Sequence, residues 1–407
     1  MNHIASNFAL SSNGAAPEFG FDSGVRDSRI LVVDDQQPIR KILQAYLTAG
    51  GYRNLSFAQD GDEALEAIRR ESPDLVILDL LMPHADGLEV CAALRADAAC
   101  ADLPVLVQTA ADSPEERTRV FAAGATDMIG KPINSAELLA RVGIHLQNRY
   151  MLRRLSEYHD RMERELDEAR RMQHDIMPRL DEIDRIRDDY GIGIRSLLQT
   201  CDQLGGDFWN VWPVGPRRLG FWLVDFAGHG VTASLNTFRF QSLALGLDLG
   251  DLGVSAHAEA LNRRLESILT VGQFATAIVG CIDLDDDVIR YAAAGAPEPL
   301  LQTPDAPSGR FCATAGRPLG IAHDSRYPEQ EIPFPPGSSL FLYSDSLVET
   351  PSMAHPVYDA DRIRAVLTCP TGAESGFDVL VGDFFTRLTG PLKDDLTLLL
   401  ISRETGA

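Results

Sequence analysis

Basic residues are scarce in this chain: over 407 residues, 37 Lys and Arg stand against 59 Asp and Glu, for a net charge of −22. Binding to a nucleic-acid backbone runs on clustered Lys and Arg. No such cluster is visible, so nucleic acid is not expected as a partner. Cysteines are few and scattered: Cys91, Cys100, Cys201, Cys281, Cys312 and Cys369 show no C-x-x-C and no zinc-like spacing. They read as reduced thiols of a cytoplasmic protein rather than a disulfide framework or a zinc site. No apolar run approaches the ~20 residues a membrane-spanning helix needs, and the N-terminus lacks a basic stretch followed by an apolar one. No membrane association is expected. Residues 1–27, rich in Ser, Asn, Ala and Gly, read as a disordered tail. The whole chain is 45% hydrophobic and 24% charged, an ordinary globular composition with room for two or three domains.

What the chain does have is aspartate at the ends of apolar runs. From Ser28 to about Leu146, apolar runs at Ile30–Val33, Leu75–Leu78 and Val105–Val107 alternate with helical patterns at Pro38–Ala49, Gly61–Arg70, Gly87–Ala96 and Ser113–Ala123. That alternation predicts a doubly wound parallel α/β sheet, whose sites lie at the carboxyl ends of strands. Asp34-Asp35, Asp79, Thr109 and Lys131-Pro132 all fall at such ends. Clustered carboxylates can hold a magnesium ion, which would free an Asp79 oxygen to attack a phosphoryl group, with Thr109 and Lys131 bonding the phosphoryl oxygens.

This set, with Leu80-Leu81-Met82-Pro83 after Asp79 and Ala110 after Thr109, resembles a response-regulator receiver domain in type, order and spacing. The resemblance implies a flavodoxin-like domain over 28–146 with Asp79 as phosphoacceptor. Mg²⁺ would be held by Asp35, Asp79 and the Leu81 backbone carbonyl, with Asp34 assisting. Thr109 becomes the switch hydroxyl, Lys131 the phosphate contact, and a histidine kinase or phosphotransfer protein the upstream partner. Met128 departs from the aromatic usual at its position, which shifts the expected switching onto Thr109.

The segment 147–189 changes character. Arg149–Met177 has no Gly or Pro and carries seven basic and seven acidic residues, many at i, i+4 spacing such as Arg153/Glu157 and Asp160/Arg164. Leu155, Met162, Ala169 and Ile176 hold one heptad position and Leu152 and Leu166 the other, where His159 and Gln173 interrupt. A long helix is predicted here, paired as a coiled coil in a homodimer, with an amphipathic helix packed on its own domains as the alternative. Pro178 is expected to end it.

Residues 190–407 are strand-rich. Strands are predicted at Ile192–Leu198, Phe208–Val214, Leu219–Val224, Ala275–Leu284, Val288–Ala293, Ser339–Tyr343 and Leu396–Ser402. Helices are predicted at Thr232–Asp248, Ser255–Thr270, Asp359–Leu367 and Ser375–Leu388, giving an α+β domain of two packed sheets with helices outside. Four acidic clusters lie at its strand ends: Gly205-Gly206-Asp207, Asp225-Phe226-Ala227-Gly228-His229-Gly230, Ser344-Asp345-Ser346 and Asp394-Asp395-Leu396-Thr397. Several aspartates converging on one point require cations, and oxygen-ligated divalent ions are the usual answer. Gly205-Gly206-Asp207 alone says little; it resembles the nucleotide-cyclase signature, but Phe208 stands where that signature has glutamate. His229 reads as structural or supporting rather than as a ligand.

In order, the four clusters resemble the metal-dependent (PPM-type) protein phosphatases, in the branch of SpoIIE and RsbU. Ala169–Pro178 resembles the helix that leads into such domains. The resemblance implies a serine/threonine phosphatase with two Mg²⁺ or Mn²⁺ ions bridged by Asp225 and a water. Asp345 and Asp394 would hold one ion, and the Phe226 carbonyl, with Asp207 directly or through water, the other. Ser346 replaces the usual glycine, and the stretch after Gly295 lacks a common histidine. The whole chain then reads as a receiver whose phosphorylation on Asp79 controls a phosphatase, with a phosphorylated anti-sigma factor antagonist as the implied substrate. The alternative is an adaptor that binds and sequesters a sigma-factor regulator without chemistry.

Overall fold

A computed structural model describes residues 23–82, 86–110, 113–350, 358–368 and 373–405. Pro83, Cys369 and the tail up to residue 22 lie outside the described residues. The chain divides into two compact units, Met1–Arg161 and Met162–Ala407, and the division falls inside one helix.

In the first unit a helical turn, α1 (Ser23–Arg26), precedes β1 (Arg29–Val33), α2 (Gln37–Ala49), β2 (Asn54–Ala58), α3 (Gly61–Glu71), β3 (Leu75–Asp79) and α4 (Gly87–Ala96). Then come β4 (Val105–Thr109), α5 (Pro114–Ala122), β5 (Asp127–Gly130) and α6 (Ser135–His174). The five strands form a parallel sheet in the order β2-β1-β3-β4-β5. Period-2 alternation sends Leu31, Val33, Val76 and Leu78 into a core with α3, α4 and α5, and Ile30, Val32 and Ile77 into one with α2 and α6. Burial on both faces explains why these strands read as unbroken apolar runs. α6 begins well before the charged segment, because Leu138, Val142 and Leu146 fill the second of these cores.

The second unit holds α7 (Leu180–Tyr190), β6 (Ile192–Gln199), β7 (Asp207–Gly215), β8 (Arg218–Phe226), α8 (Val231–Ala244), α9 (Leu249–Leu252) and α10 (Val254–Glu266). It continues with β9 (Ala275–Asp283), β10 (Val288–Ala294), β11 (Leu300–Thr303), β12 (Ala306–Phe311), β13 (Gln330–Pro333) and β14 (Ser339–Tyr343). The last elements are α11 (Ser346–Glu349), α12 (Ala360–Leu367), α13 (Ala373–Arg387) and β15 (Leu396–Arg403). Two five-stranded sheets, β13-β10-β9-β8-β7 and β12-β11-β14-β15-β6, share one core. Leu340, Leu342, Leu399 and Ile401 point into it, while Phe341, Tyr343, Leu398 and Leu400 point outward under α12 and α13. α8 and α10 cover the other sheet, where the Phe240 ring packs edge-on against Phe208 and Trp222. Helices therefore flank two stacked sheets.

Each predicted strand of this unit is present to within two residues. β11 was not foreseen, and neither were β12 and β13. The latter two are sheet edges whose sequences, APSGRF and QEIP, are polar and contain Pro, as edges require. The helix predicted at Thr232–Asp248 ends at Ala244, and Asp248 instead caps α9 by accepting from Gly250 N.

The heptad seam divides. Leu152 and Leu155 are 68% and 65% exposed, but from Leu166 onward the same helix packs onto the second unit, with Ile176 and Met177 joining its core. α6 ends at His174, ahead of Pro178. Among the described residues no helix is long and apolar enough to cross a membrane.

Candidate functional sites

In the first unit, β1 runs into Asp34-Asp35, β3 ends on Asp79, β4 ends on Thr109 and β5 leads to Lys131. The parallel sheet brings these ends together. Asp34, Asp35 and Asp79 each offer a carboxylate oxygen within 4.8 Å of the others. The Lys131 Nζ donates to Asp79 Oδ2 at 2.6 Å and lies 3.7 Å from Asp34 Oδ2. The Leu81 N–H donates to the other Asp79 oxygen at 3.3 Å. Asp34 is buried and its carboxyl is raised, first by that burial and also by the neighbouring Asp79. Asp34 Oδ2 and Asp35 Oδ1 are buried without a hydrogen bond. One ammonium among three carboxylates leaves a charge deficit that fits a divalent cation. Asp79, Leu81, Thr109 and Lys131 line a cavity of about 310 Å³.

In the second unit the site is built by both sheets. β7 opens with Asp207 and β8 closes with Asp225-Phe226, and the antiparallel register pairs Asp207 with Asp225 directly. On the other sheet, β14 runs into Asp345 while Asp394-Asp395 lead into the adjacent β15. The two pairs act on each other. Asp225 is pushed up to about 7, by burial first and then by Asp345, with Asp394 and Asp395 contributing. Asp207 is raised well above the ordinary carboxylate range by burial and by Asp225. Asp345 is raised by burial, then by Glu349 and Asp394. Thr397 Oγ1 donates to Asp207 Oδ2 at 2.6 Å, while Asp207 Oδ1 is buried with no partner. No three of these carboxylates close to within 4.8 Å as the first unit's cluster does. A mutually repelling set, with Asp207 and Asp225 buried and Asp345 and Asp394 half-buried, and with an orphaned oxygen on Asp207, fits a hard cation.

Glycines supply the clearance. A Cβ on Gly206 would stand 2.8 Å from the Phe226 carbonyl oxygen, so that position admits only glycine without displacing backbone. The uninformative Gly205-Gly206-Asp207 turn acquires its reason here. Ser346, which departs from the usual glycine, is buried and donates from Oγ to the Asp394 carbonyl at 3.3 Å, linking two acidic strand ends. His229 is exposed, 3.9 Å from Asp202 Oδ2.

Two contributors were missed. Asp395 accepts from Cys201 N at 2.8 Å and Gly206 N at 2.6 Å, so it holds the turn while its charge still acts on Asp207 and Asp225. Gln173, read as a flaw in the heptad, is buried and bonds Gly205. The misfit of a polar residue within an apolar seam was the available signal.

Residues 30–143 match the response regulator receiver domain family, and residues 215–404 match the family of stage II sporulation protein E (SpoIIE). The chain is 48% identical over 128 residues to the response regulator MprA of Mycobacterium sp. (strain KMS), covering 31% of this chain and 52% of that protein. It is 50% identical over 114 residues to MprA of Mycolicibacterium vanbaalenii, covering 28% of this chain and 48% of the relative. The chain thus spans about half the length of the curated relatives it matches. The SiaA-PP2C domain of Pseudomonas aeruginosa superposes with a TM-score of 0.52 at 19% identity, over 60% of this chain and 98% of that one. At that identity it attests the fold alone.

Proposed function

Because the chain joins a response regulator receiver domain to a SpoIIE-family, PPM-type phosphatase domain, we propose that phosphorylation of Asp79 controls a metal-dependent serine/threonine phosphatase. Its substrate is a phosphorylated regulatory protein of the anti-sigma factor antagonist class, and it acts in the cytoplasm. The observation that carries this reading is the buried pair Asp207 and Asp225 on one sheet, with the half-buried Asp345 and Asp394 of the other sheet acting electrostatically on Asp225.

In the receiver, Asp79 is the nucleophile toward a phosphoryl group from a histidine kinase or phosphotransfer protein. Asp35, Asp79 and the Leu81 carbonyl would hold Mg²⁺ there, with Asp34 assisting. Lys131, already on Asp79 Oδ2 at 2.6 Å, meets the incoming phosphoryl charge, and Thr109 at the neighbouring strand end takes one of its oxygens.

In the phosphatase domain, Asp345 and Asp394 would hold one Mg²⁺ or Mn²⁺, and the Phe226 carbonyl, with Asp207 directly or through water, a second, with Asp225 serving both. The chemistry such ions supply when bound is neutralisation of the carboxylates and an acidified water as nucleophile. Asp225 sits centrally because it senses Asp207, Asp345 and Asp394 together. Thr397 keeps one Asp207 oxygen engaged and leaves the other for a cation. The exposed Leu152 and Leu155 support pairing of two chains along the upper part of α6.

The test is hydrolysis of a phosphoserine protein with Mn²⁺, comparing the native chain with Asp225→Ala. Turnover should fall by at least ~10³-fold, as loss of a shared metal ligand implies. Equal turnover in both proteins would remove the catalytic assignment and favour a binding role.

A further inference from the structure

Gln173 lies in the last turn of α6, a 40-residue helix that begins at Ser135, and it is only 3% exposed. Burying a carboxamide is costly unless its polar atoms find partners. Here one residue, Gly205, engages both ends of the amide. Gln173 Nε2 donates to the Gly205 carbonyl at 2.7 Å, and Gly205 N donates back to Gln173 Oε1 at 3.4 Å. Nε2 also reaches Thr237 Oγ1 at 3.5 Å.

Gly205 opens the turn that ends on Asp207, and that turn has little slack. A Cβ on Gly205 would lie 2.6 Å from Asp395 Oδ2 and 2.7 Å from Thr200 Cγ2. Gly206 N is held by Asp395 Oδ2 at 2.6 Å, and the Gly206 carbonyl accepts from Phe226 N at 3.3 Å. The turn is therefore fixed at Gly205 by Gln173 and at Gly206 by Asp395 and β8. Its downstream end sets Asp207, whose Oδ1 has no protein partner, and its contact with Phe226 sets the peptide whose carbonyl faces Gly206.

We propose that Gln173 is a positioning residue: it holds the Gly205–Asp207 turn, and through it Asp207 and the Phe226 carbonyl, in cation-binding geometry. This rests on the metal-site reading given above. Its place at the end of α6 makes it the residue by which that helix registers on the site. The amide is required rather than shape alone. Leucine would fill the space but leave the Gly205 N–H and C=O unpaired, and glutamate would accept from the N–H but repel the carbonyl.

The experiment uses the full chain carrying Asp35→Asn, which silences the receiver's own carboxylate cluster. Mn²⁺ binding by calorimetry and amide exchange of Gly205–Asp207 in metal-free protein are compared for Gln173, Gln173→Leu and Gln173→Glu. Removing a group that orients a metal ligand costs ~10–100-fold in affinity. That weakening is expected in both variants, together with faster exchange confined to the turn and turnover that recovers at saturating Mn²⁺. Affinity within twofold of the parent in a folded variant overturns the proposal. If Gln173→Leu does not fold, the near-isosteric Gln173→Glu decides by the same criterion. A parent that binds Mn²⁺ but turns over no phosphoprotein overturns the phosphatase reading and leaves the Gln173 comparison intact. A parent that binds no Mn²⁺ at Asp225 overturns both.

Discussion

Replacing Asp225 by asparagine should make the metal-free protein more stable at alkaline pH while removing its response to metal. Asp225 is buried and raised from 3.8 to about 7 by burial and by Asp345. Between those two values the folded chain keeps a proton that the unfolded chain has lost. Stability contributed by that proton is present at pH 4 and falls as pH rises to 7. At ~1.4 kcal/mol per pH unit the loss from this group is about 4 kcal/mol. Asparagine cannot ionise, so it avoids the loss, at the cost of ~1–2 kcal/mol for the altered contact with Asp207, which faces it across β7 and β8. The net gain at pH 8 is about 2–3 kcal/mol, or roughly 5–10 °C in the midpoint of the phosphatase unit. Near pH 5 the gain should largely disappear. Mn²⁺ at ~100 times its dissociation constant should stabilise the native chain by about 2.7 kcal/mol, and the variant far less. Calorimetric scans at pH 5 and 8, with chelator and with Mn²⁺, read all four states. A variant that gains nothing at pH 8, gains equally at both pH values, or responds to Mn²⁺ as the native chain does would refute the argument.

Two further outcomes follow from particular contacts. Gly206→Ala places a Cβ 2.8 Å from the Phe226 carbonyl oxygen, so backbone must move; Mn²⁺ affinity should fall ~10-fold or more with a stability loss of ~1–3 kcal/mol, measured by calorimetry. Leu155→Glu charges an exposed position of the α6 seam; sedimentation should show weaker self-association, and phosphatase activity should lose its response to beryllofluoride at Asp79 while basal turnover persists. Retained regulation would remove the paired-helix reading.

Legibility followed burial. Strands buried on both faces, such as Leu75–Asp79 and Ser339–Tyr343, were readable because their apolar runs end abruptly in aspartate. The edge strands Ala306–Phe311 and Gln330–Pro333 were not, since an edge is protected by polar and Pro residues that read as loop. α6 was legible as a long helix, but where its seam stops being free was hidden. Leu155 and Leu166 are both apolar seam residues, and only the tertiary structure leaves the first exposed and the second half-buried.

Residue type and order by themselves determined that this chain carries two sets of strand-end carboxylates, one with a lysine and a threonine at fixed spacing, because those patterns are local and each chemistry needs particular side chains. Tertiary structure alone decided how those sets stand. It opposed Asp207 to Asp225 across β7 and β8, bound Asp395 to the Gly206 N–H, and drew Gln173 out of the helical seam onto Gly205. Those outcomes depend on antiparallel register and on clearances of a few tenths of an ångström between residues far apart in the chain, and no short stretch of sequence contains that information.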